Sequence, residues 1–261
     1  MESMDSNRQF LKNDLWPEWK NLERDEKKGI PPPPLQQPCP QGASLIDLVA
    51  PEDLTLGDMR LIEAIRRRRS RRQFTEEPLT LEELSFLLWA TQGVREVTED
   101  GTSTRRTVPS AGGRHPFETY LIVKRVAGLE PGLYRYLGLE HMLCFLCTDA
   151  ELATRLDDDF WFRQTEAVLF IWTAIPYRTE WKFGVLSPKL IALDAGHVCQ
   201  NLYLASEAIG AGTCAIGAYW QHEMDAVLDV DGKDEFTIYV ARVGKVEPEA
   251  AKQRQEIKSP G

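Results

Sequence analysis

The sequence predicts an α+β protein in which a central mixed or mainly antiparallel sheet is surrounded by helices, one of them long and buried. Three observations carry this expectation. Strand-like runs at Phe117–Val126, Leu133–Tyr136 and Met142–Cys147 follow one another with turn signals between them, as in a β-meander. The run Ala167–Ile175 is continuously apolar and bounded by charge, the pattern of a strand buried on both faces. Ser187-Pro188 then opens a helix that reaches Gly210 and is apolar around most of its circumference.

Composition sets the frame. With 261 residues, 43% hydrophobic and 27% charged, usage is that of an ordinary globular protein. One domain of this length is common among sheet-and-helix folds. Residues 1–57 are rich in charge and proline, including Pro31–Pro34, and lack sustained periodicity. They read as an N-terminal extension, either a disordered tail or an arm packed on a partner subunit, ahead of a domain over 58–261. No apolar run approaches the roughly 20 residues that cross a bilayer. The polar N-terminus has no export signal, so a cytoplasmic protein without a membrane partner is expected. The odd set Cys39, Cys144, Cys147, Cys199 and Cys214 lies scattered through apolar segments, which predicts reduced, mostly buried thiols.

Met59, Leu61, Ile62 and Ile65 recur at helical spacing between Gly57 and Arg69, with arginines at the C-terminal end, where cations complement the helix dipole. Thr80-Leu-Glu-Glu83 is a capping box opening a helix with Leu84, Leu87, Leu88 and Thr91 inward, ending at Gly93. Arg95 to Arg106 reads as a polar loop. A short helical piece is expected near Leu152–Leu156. In the long helix Leu190, Ile191, Leu193, Ala195, Val198, Leu202, Leu204, Ala205 and Ile209 are the apolar positions, and Gly210 is its C′ glycine. Strand-like Thr213–Tyr219 and Phe236–Val243 flank an amphipathic helix around Met224–Leu228.

The formal net charge of −9 disfavours nonspecific binding to nucleic acid. One run has the opposite sign: Arg66-Arg67-Arg68-Arg69-Ser70-Arg71-Arg72. A phosphate monoester needs several fixed donors, and Arg68, Arg69, Ser70 and Arg72 can supply them. A solvated basic face or a nucleic-acid patch are the other readings of the same run. Pro109, Ser110, Ala111, Gly112 and Gly113 form a loop of small residues, where a backbone can approach a flat ring closely, or simply a turn. Cys144 and Cys147 at i and i+3 on a strand face opposite sides, which disfavours metal binding. Gly210-x-Gly212 follows a helix instead of opening one, so a dinucleotide fingerprint fails.

In this order, the Arg-x-Ser-x-Arg run, the Pro-Ser-Ala-Gly-Gly loop and the segment Asp194-Ala-Gly-His197-Val-Cys-Gln-Asn201, continued by Gly210-Ala-Gly-Thr-Cys-Ala-Ile-Gly217-Ala-Tyr219, resemble the nitroreductase family. The resemblance covers about residues 58–245 and points to its branch of SagB-type dehydrogenases, which oxidise azoline rings in modified peptides. It implies a nitroreductase-like fold, a homodimer with FMN at the interface, and hydride transfer through flavin N5. It also implies that Arg68, Arg69, Ser70 and Arg72 hold the FMN phosphate, and that Pro109 to Gly113 together with Ile216, Gly217 and Ala218 border the ring. Lys182 stands where azoline oxidases of this branch carry a Lys-Tyr pair, but the next residue is Phe183, which has no proton to exchange. Lys182 is either a catalytic lysine or a surface one. Candidates for the cation needed near the reduced ring are Arg114 and a basic residue near the C-terminus such as Lys245. His115 and His197 are weaker candidates, and for His197 a core histidine is the competing reading. The activity implied is NAD(P)H-dependent reduction of nitro or quinone-type compounds, or dehydrogenation of a peptidic substrate. The alternative is a non-catalytic flavin- or nucleic-acid-binding module using Arg66 to Arg72.

Overall fold

A computed structural model describes residues 8–12, 14–153 and 165–248 of the chain. Its strands are β1 (Leu45–Asp47), β2 (Val94–Val97), β3 (Thr104–Arg106), β4 (Phe117–Val123), β5 (Gly132–Leu137), β6 (Met142–Thr148), β7 (Val168–Ala174), β8 (Ala211–Ile216) and β9 (Phe236–Lys245). Its α-helices are α1 (Leu61–Arg67), α2 (Leu81–Gln92), α3 (Asp149–Ala153), α4 (Tyr177–Phe183), α5 (Ser187–Ala208) and α6 (Gln221–Leu228). Seven strands form one sheet in the order β1-β6-β5-β4-β7-β9-β8, and every pairing in it is antiparallel. The fold is α+β, with α5 at its centre.

The central strands β4 and β7 pair from Phe117↔Ala174 to Val123↔Val168 and are buried along their whole length. The reason is the strand period of two with helices on both sides. Leu121, Val123, Phe170 and Trp172 pack with Leu84, Leu87, Leu88, Val198 and Leu202 of α2 and α5. Tyr120, Ile122, Leu169 and Ile171 on the other face pack with Leu152 of α3 and Met224, Val227 and Leu228 of α6.

The capping box forms as expected: the Glu83 amide donates to the Thr80 hydroxyl at 3.1 Å and the Thr80 amide to the Glu83 carboxylate at 2.9 Å. Leu84, Leu87, Leu88 and Thr91 are fully buried and Gly93 ends the helix. α5 has Pro188 in its first turn and Gly210 just past its end, at φ +68°. It is buried on one side only. Ala192, Leu193, Gly196, His197 and Gln200 are exposed, because the sheet covers a single face of the helix.

Three elements differ from the sequence reading. The polar stretch after Gly93 contains the hairpin β2–β3, Leu45–Asp47 adds an edge strand beside β6, and residues 177–183 are helical. The short helix α3 is described to Ala153; Leu156 lies outside the described residues.

The proline-rich segment before β1 lies along its own chain. Proline offers a carbonyl but no N–H, so the proline positions of the strap need donors alone. Buried arginines provide them: Arg178 donates to Pro34 O at 2.9 Å, Arg135 to Pro38 O at 2.5 Å and Arg106 to Leu35 O at 3.5 Å. Trp181 Nε1 donates to Ile30 O at 2.7 Å.

The cysteine expectation needs correction. Cys39 is disulfide-bonded to Cys144, with Cα atoms 6.2 Å apart across 105 residues of sequence, whereas Cys147, Cys199 and Cys214 are free and buried. The strap carries Cys39 to β6, and spacing alone cannot show that proximity. Among the described residues no helix is long and apolar enough to cross a membrane.

Candidate functional site

The arginine run leaves the end of α1 and lies along β8, where Ser70 bridges Thr213 and the Arg71 amide donates to Thr213 O at 2.9 Å. In this extended stretch successive side chains alternate in direction. Arg71 points inward and pairs with Glu207 of α5 at 3.4 Å. Ser70 and Arg68 meet Tyr203 of α5: the two hydroxyls are 3.0 Å apart, and the Arg68 guanidinium lies 5.5 Å from the ring centroid. Arg69 and Arg72 are exposed. Arg67 is paired with Glu63 within α1. The run is therefore split by direction and does not form one basic face.

Tyr203 also reaches further along β8, accepting a hydrogen bond from the Ala215 amide at 2.8 Å. Beyond Ala215, Ile216 is half-buried and Gly217 and Ala218 are exposed, with open space where a Gly217 Cβ would stand.

The loop of small residues is held by the same helix. Ser110 Oγ donates to Asp194 at 2.6 Å, the Ala111 amide reaches the same carboxylate at 3.1 and 3.2 Å, and the His115 amide donates to Ser110 Oγ at 2.9 Å. Burial pushes the Asp194 carboxyl up from its ordinary value, and the hydrogen bonds from Ser110 and Ala111 oppose that. Gly112 has φ +59°, and a Cβ there would stand 3.0 Å from Lys182 Cδ and from the Phe183 ring. The loop thus presses against the end of α4. Asp194 and Tyr203 are nine positions apart on α5, about 13 Å along the axis. One rigid helix sets the distance between the arginine end and the loop.

Lys182 is half-buried, with Nζ 3.8 Å from Glu26 of the arm. Phe183 is buried. Arg114 and Lys245, the two basic residues proposed for the ring edge, are committed elsewhere. Arg114 is buried, donates to Arg178 O at 2.6 Å and stacks over Trp181 at 4.8 Å. Lys245 is paired with Glu83 and donates to Ile209 O at 3.4 Å.

The histidines also depart from expectation. His197 is 48% exposed, 3.9 Å from Asp194, and no core residue. His115 is 3% exposed. Burial first, and then the Arg106 charge, push its pKa down to about 3. It stays neutral and enclosed, which removes it as a proton donor. The unfolded chain takes up this proton near pH 6.5 and the folded chain near 3, so stability falls as pH drops, by about 1.4 kcal/mol per unit within that window. His115→Asn, which tolerates the positive φ of 43°, is expected to remove about 2 kcal/mol of the stability lost between pH 7 and 5. Urea midpoints at the two pH values test this, and an unchanged difference refutes it.

Asp194, Tyr203 and the arm residues Arg24 and Glu26 were not identified from the sequence. For Asp194 and Tyr203 the available signal was polar groups set among apolar helix positions, and Arg24 and Glu26 lie on no helix.

The nitroreductase family model matches residues 65–245. The chain belongs to the nitroreductase family. A relative from Methanocaldococcus jannaschii that bears a nitroreductase name is 32% identical over 191 residues, 72% of this chain and 92% of the relative. The trifolitoxin-processing protein TfxB of Rhizobium leguminosarum bv. trifolii is 26% identical over 143 residues, 50% of this chain and 37% of that protein. The crystal structure of a protein from Ralstonia eutropha JMP134 that bears a nitroreductase name matches with a TM-score of 0.63 at 25% identity, over 84% of this chain and 100% of that one. In this nitroreductase-family oxidoreductase the matched segment begins within α1 and ends with β9. It takes in the arginine run, the Pro109–Gly113 loop and residues 216–218, and leaves the strap outside.

Proposed function

We propose that this oxidoreductase binds FMN, with its phosphate held by Arg68, Arg69, Ser70 and Arg72 and its ring bordered by Pro109 to Gly113 and Ile216 to Ala218. The observation that carries the reading is the role of α5: Tyr203 organises the donor end and Asp194 the small-residue loop. The residues present fit the group. Tyr203 accepts from the Ala215 amide, and if it donates to Ser70, the Ser70 proton is left for an outside acceptor. The open space at Gly217 lets backbone approach a flat ring. Bound FMN supplies a hydride acceptor and donor at N5. The chain's own residues bind the phosphate and fix the loop. Lys182, beside Gly112, is the candidate that holds or releases a proton.

Exposed Leu61, Ile62 and Ile65 of α1 adjoin a groove of about 420 Å³ lined by Met59, Phe86, Trp89 and Leu204. These unpartnered apolar surfaces support a homodimer. The inward turn of Arg71 speaks against the nucleic-acid alternative, which needs a continuous basic face. NAD(P)H as electron donor fits a reductase of small nitro or quinone-type compounds in the cytoplasm, and the missing phenol at Phe183 favours it. Similarity to a toxin-processing protein favours a second reading, dehydrogenation of a peptidic substrate.

Purified protein should be yellow or take up added FMN, and Arg68→Ala with Arg72→Ala should weaken FMN binding about 10- to 100-fold. Protein that is colourless and takes up no FMN refutes the reading. Anaerobic mixing with NADH or NADPH separates the two reactions, since a reductase bleaches rapidly.

A further inference from the structure

α4 is short, and its last carbonyls have no partners within the helix. The arm provides them. The Glu26 amide donates to Trp181 O at 3.0 Å, and Arg24 Nη1 donates to Lys182 O at 2.9 Å. Arg24 is 5% exposed and stacked 4.1 Å over Trp19, and the same nitrogen holds one Glu26 oxygen at 3.1 Å. The other Glu26 oxygen stands 3.8 Å from Lys182 Nζ, and both side chains of that pair are about one-third exposed. The Lys182 stem meanwhile packs against the place where a Gly112 Cβ would stand. The lysine is thus gripped at its backbone, at its stem and at its charge, and two of the three grips come from a segment that the family model does not cover.

We propose that Glu26 is a positioning residue for Lys182: the arm supplies an ionisable partner for the lysine, whose chain neighbour Phe183 offers none. The carboxylate pairs with the ammonium of a side chain whose stem packs at Gly112, and so fixes where the lysine's charge stands relative to the loop. This role rests on the reading of Pro109 to Gly113 as the ring-bordering loop.

Two measurements on the full-length chain test it. Carbodiimide treatment of the flavin-free protein should join the Glu26 carboxylate to the Lys182 amine as an amide with loss of water, detected by mass spectrometry and absent in Glu26→Gln. In the FMN-loaded protein, Glu26→Gln should slow anaerobic flavin reduction by NADPH about five- to tenfold, and Glu26→Asp should recover part of the loss. Glu26→Gln added to Lys182→Ala should cost nothing more. No cross-link, or rate losses that multiply in the double variant, overturns the proposal. Wild-type protein that takes up no FMN but forms the cross-link overturns the function reading, and with it the role of the pair, while leaving the pair itself in place.

Discussion

Cys39→Ala is expected to lower the unfolding free energy by about 3–5 kcal/mol, because the bond it removes closes a loop spanning 105 residues. In the chain-entropy account such a link restricts the unfolded ensemble, and a loop of this length is near the upper end of the effect. Replacing Cys39 is the cleaner change, since Cys144 is fully buried and its thiol remains as a small apolar group in β6. The urea midpoint of the oxidised protein should fall in the variant and should fall equally when the wild type is reduced. Equal midpoints for all three would show that the two sulfurs are not bonded in solution. The strap should loosen as well, because Cys39 follows directly on Pro38, whose carbonyl Arg135 holds. A cytoplasmic enzyme would carry this bond against a reducing environment, which makes its redox state a property to measure in extracts.

What the sequence shows and what it hides divide along physical lines. α2 is legible because its capping box, inward leucines and final glycine are all local signals. β7 is legible because both of its faces are covered, so no polar alternation interrupts the run. α4 is hidden, since Arg178 is buried by long-range contacts with Glu118 at 2.5 Å and with Pro34, and no periodicity announces these. The strap is hidden for the same reason: its prolines have no pattern of their own, and its carbonyls find their donors on β3, β5 and α4. At the site, the arginine run and the small-residue loop can be named from composition and order. Which arginine turns inward cannot, because that depends on the pairing of Ser70 with Thr213, which sends Arg71 to Glu207.

Asp194→Ala should be the most damaging single change in the loop contacts. The carboxylate accepts the Ser110 hydroxyl and the Ala111 amide, and the Ser110 oxygen in turn accepts the His115 amide. Removing it leaves two donors in a half-buried loop without their acceptor and frees the first residues before the positive-φ pair Gly112 and Gly113. Hydrogen bonds to a charged group contribute about 1.5–3 kcal/mol each. Burial, which pushes this carboxyl up, offsets part of that gain, so a net loss of about 3 kcal/mol is expected. Asp194→Asn should cost about half as much, since its amide oxygen still accepts from Ala111 while its NH2 group faces Ser110. FMN affinity should fall at least about tenfold in the alanine variant, because a loop no longer tied to α5 has no fixed distance to the Ser70–Tyr203 end. Thermal melting and FMN titration separate the two effects. If Asp194→Ala loses stability but binds FMN as tightly as the wild type, the Pro109–Gly113 loop does not border the ring, and α5 does not set the length of the site.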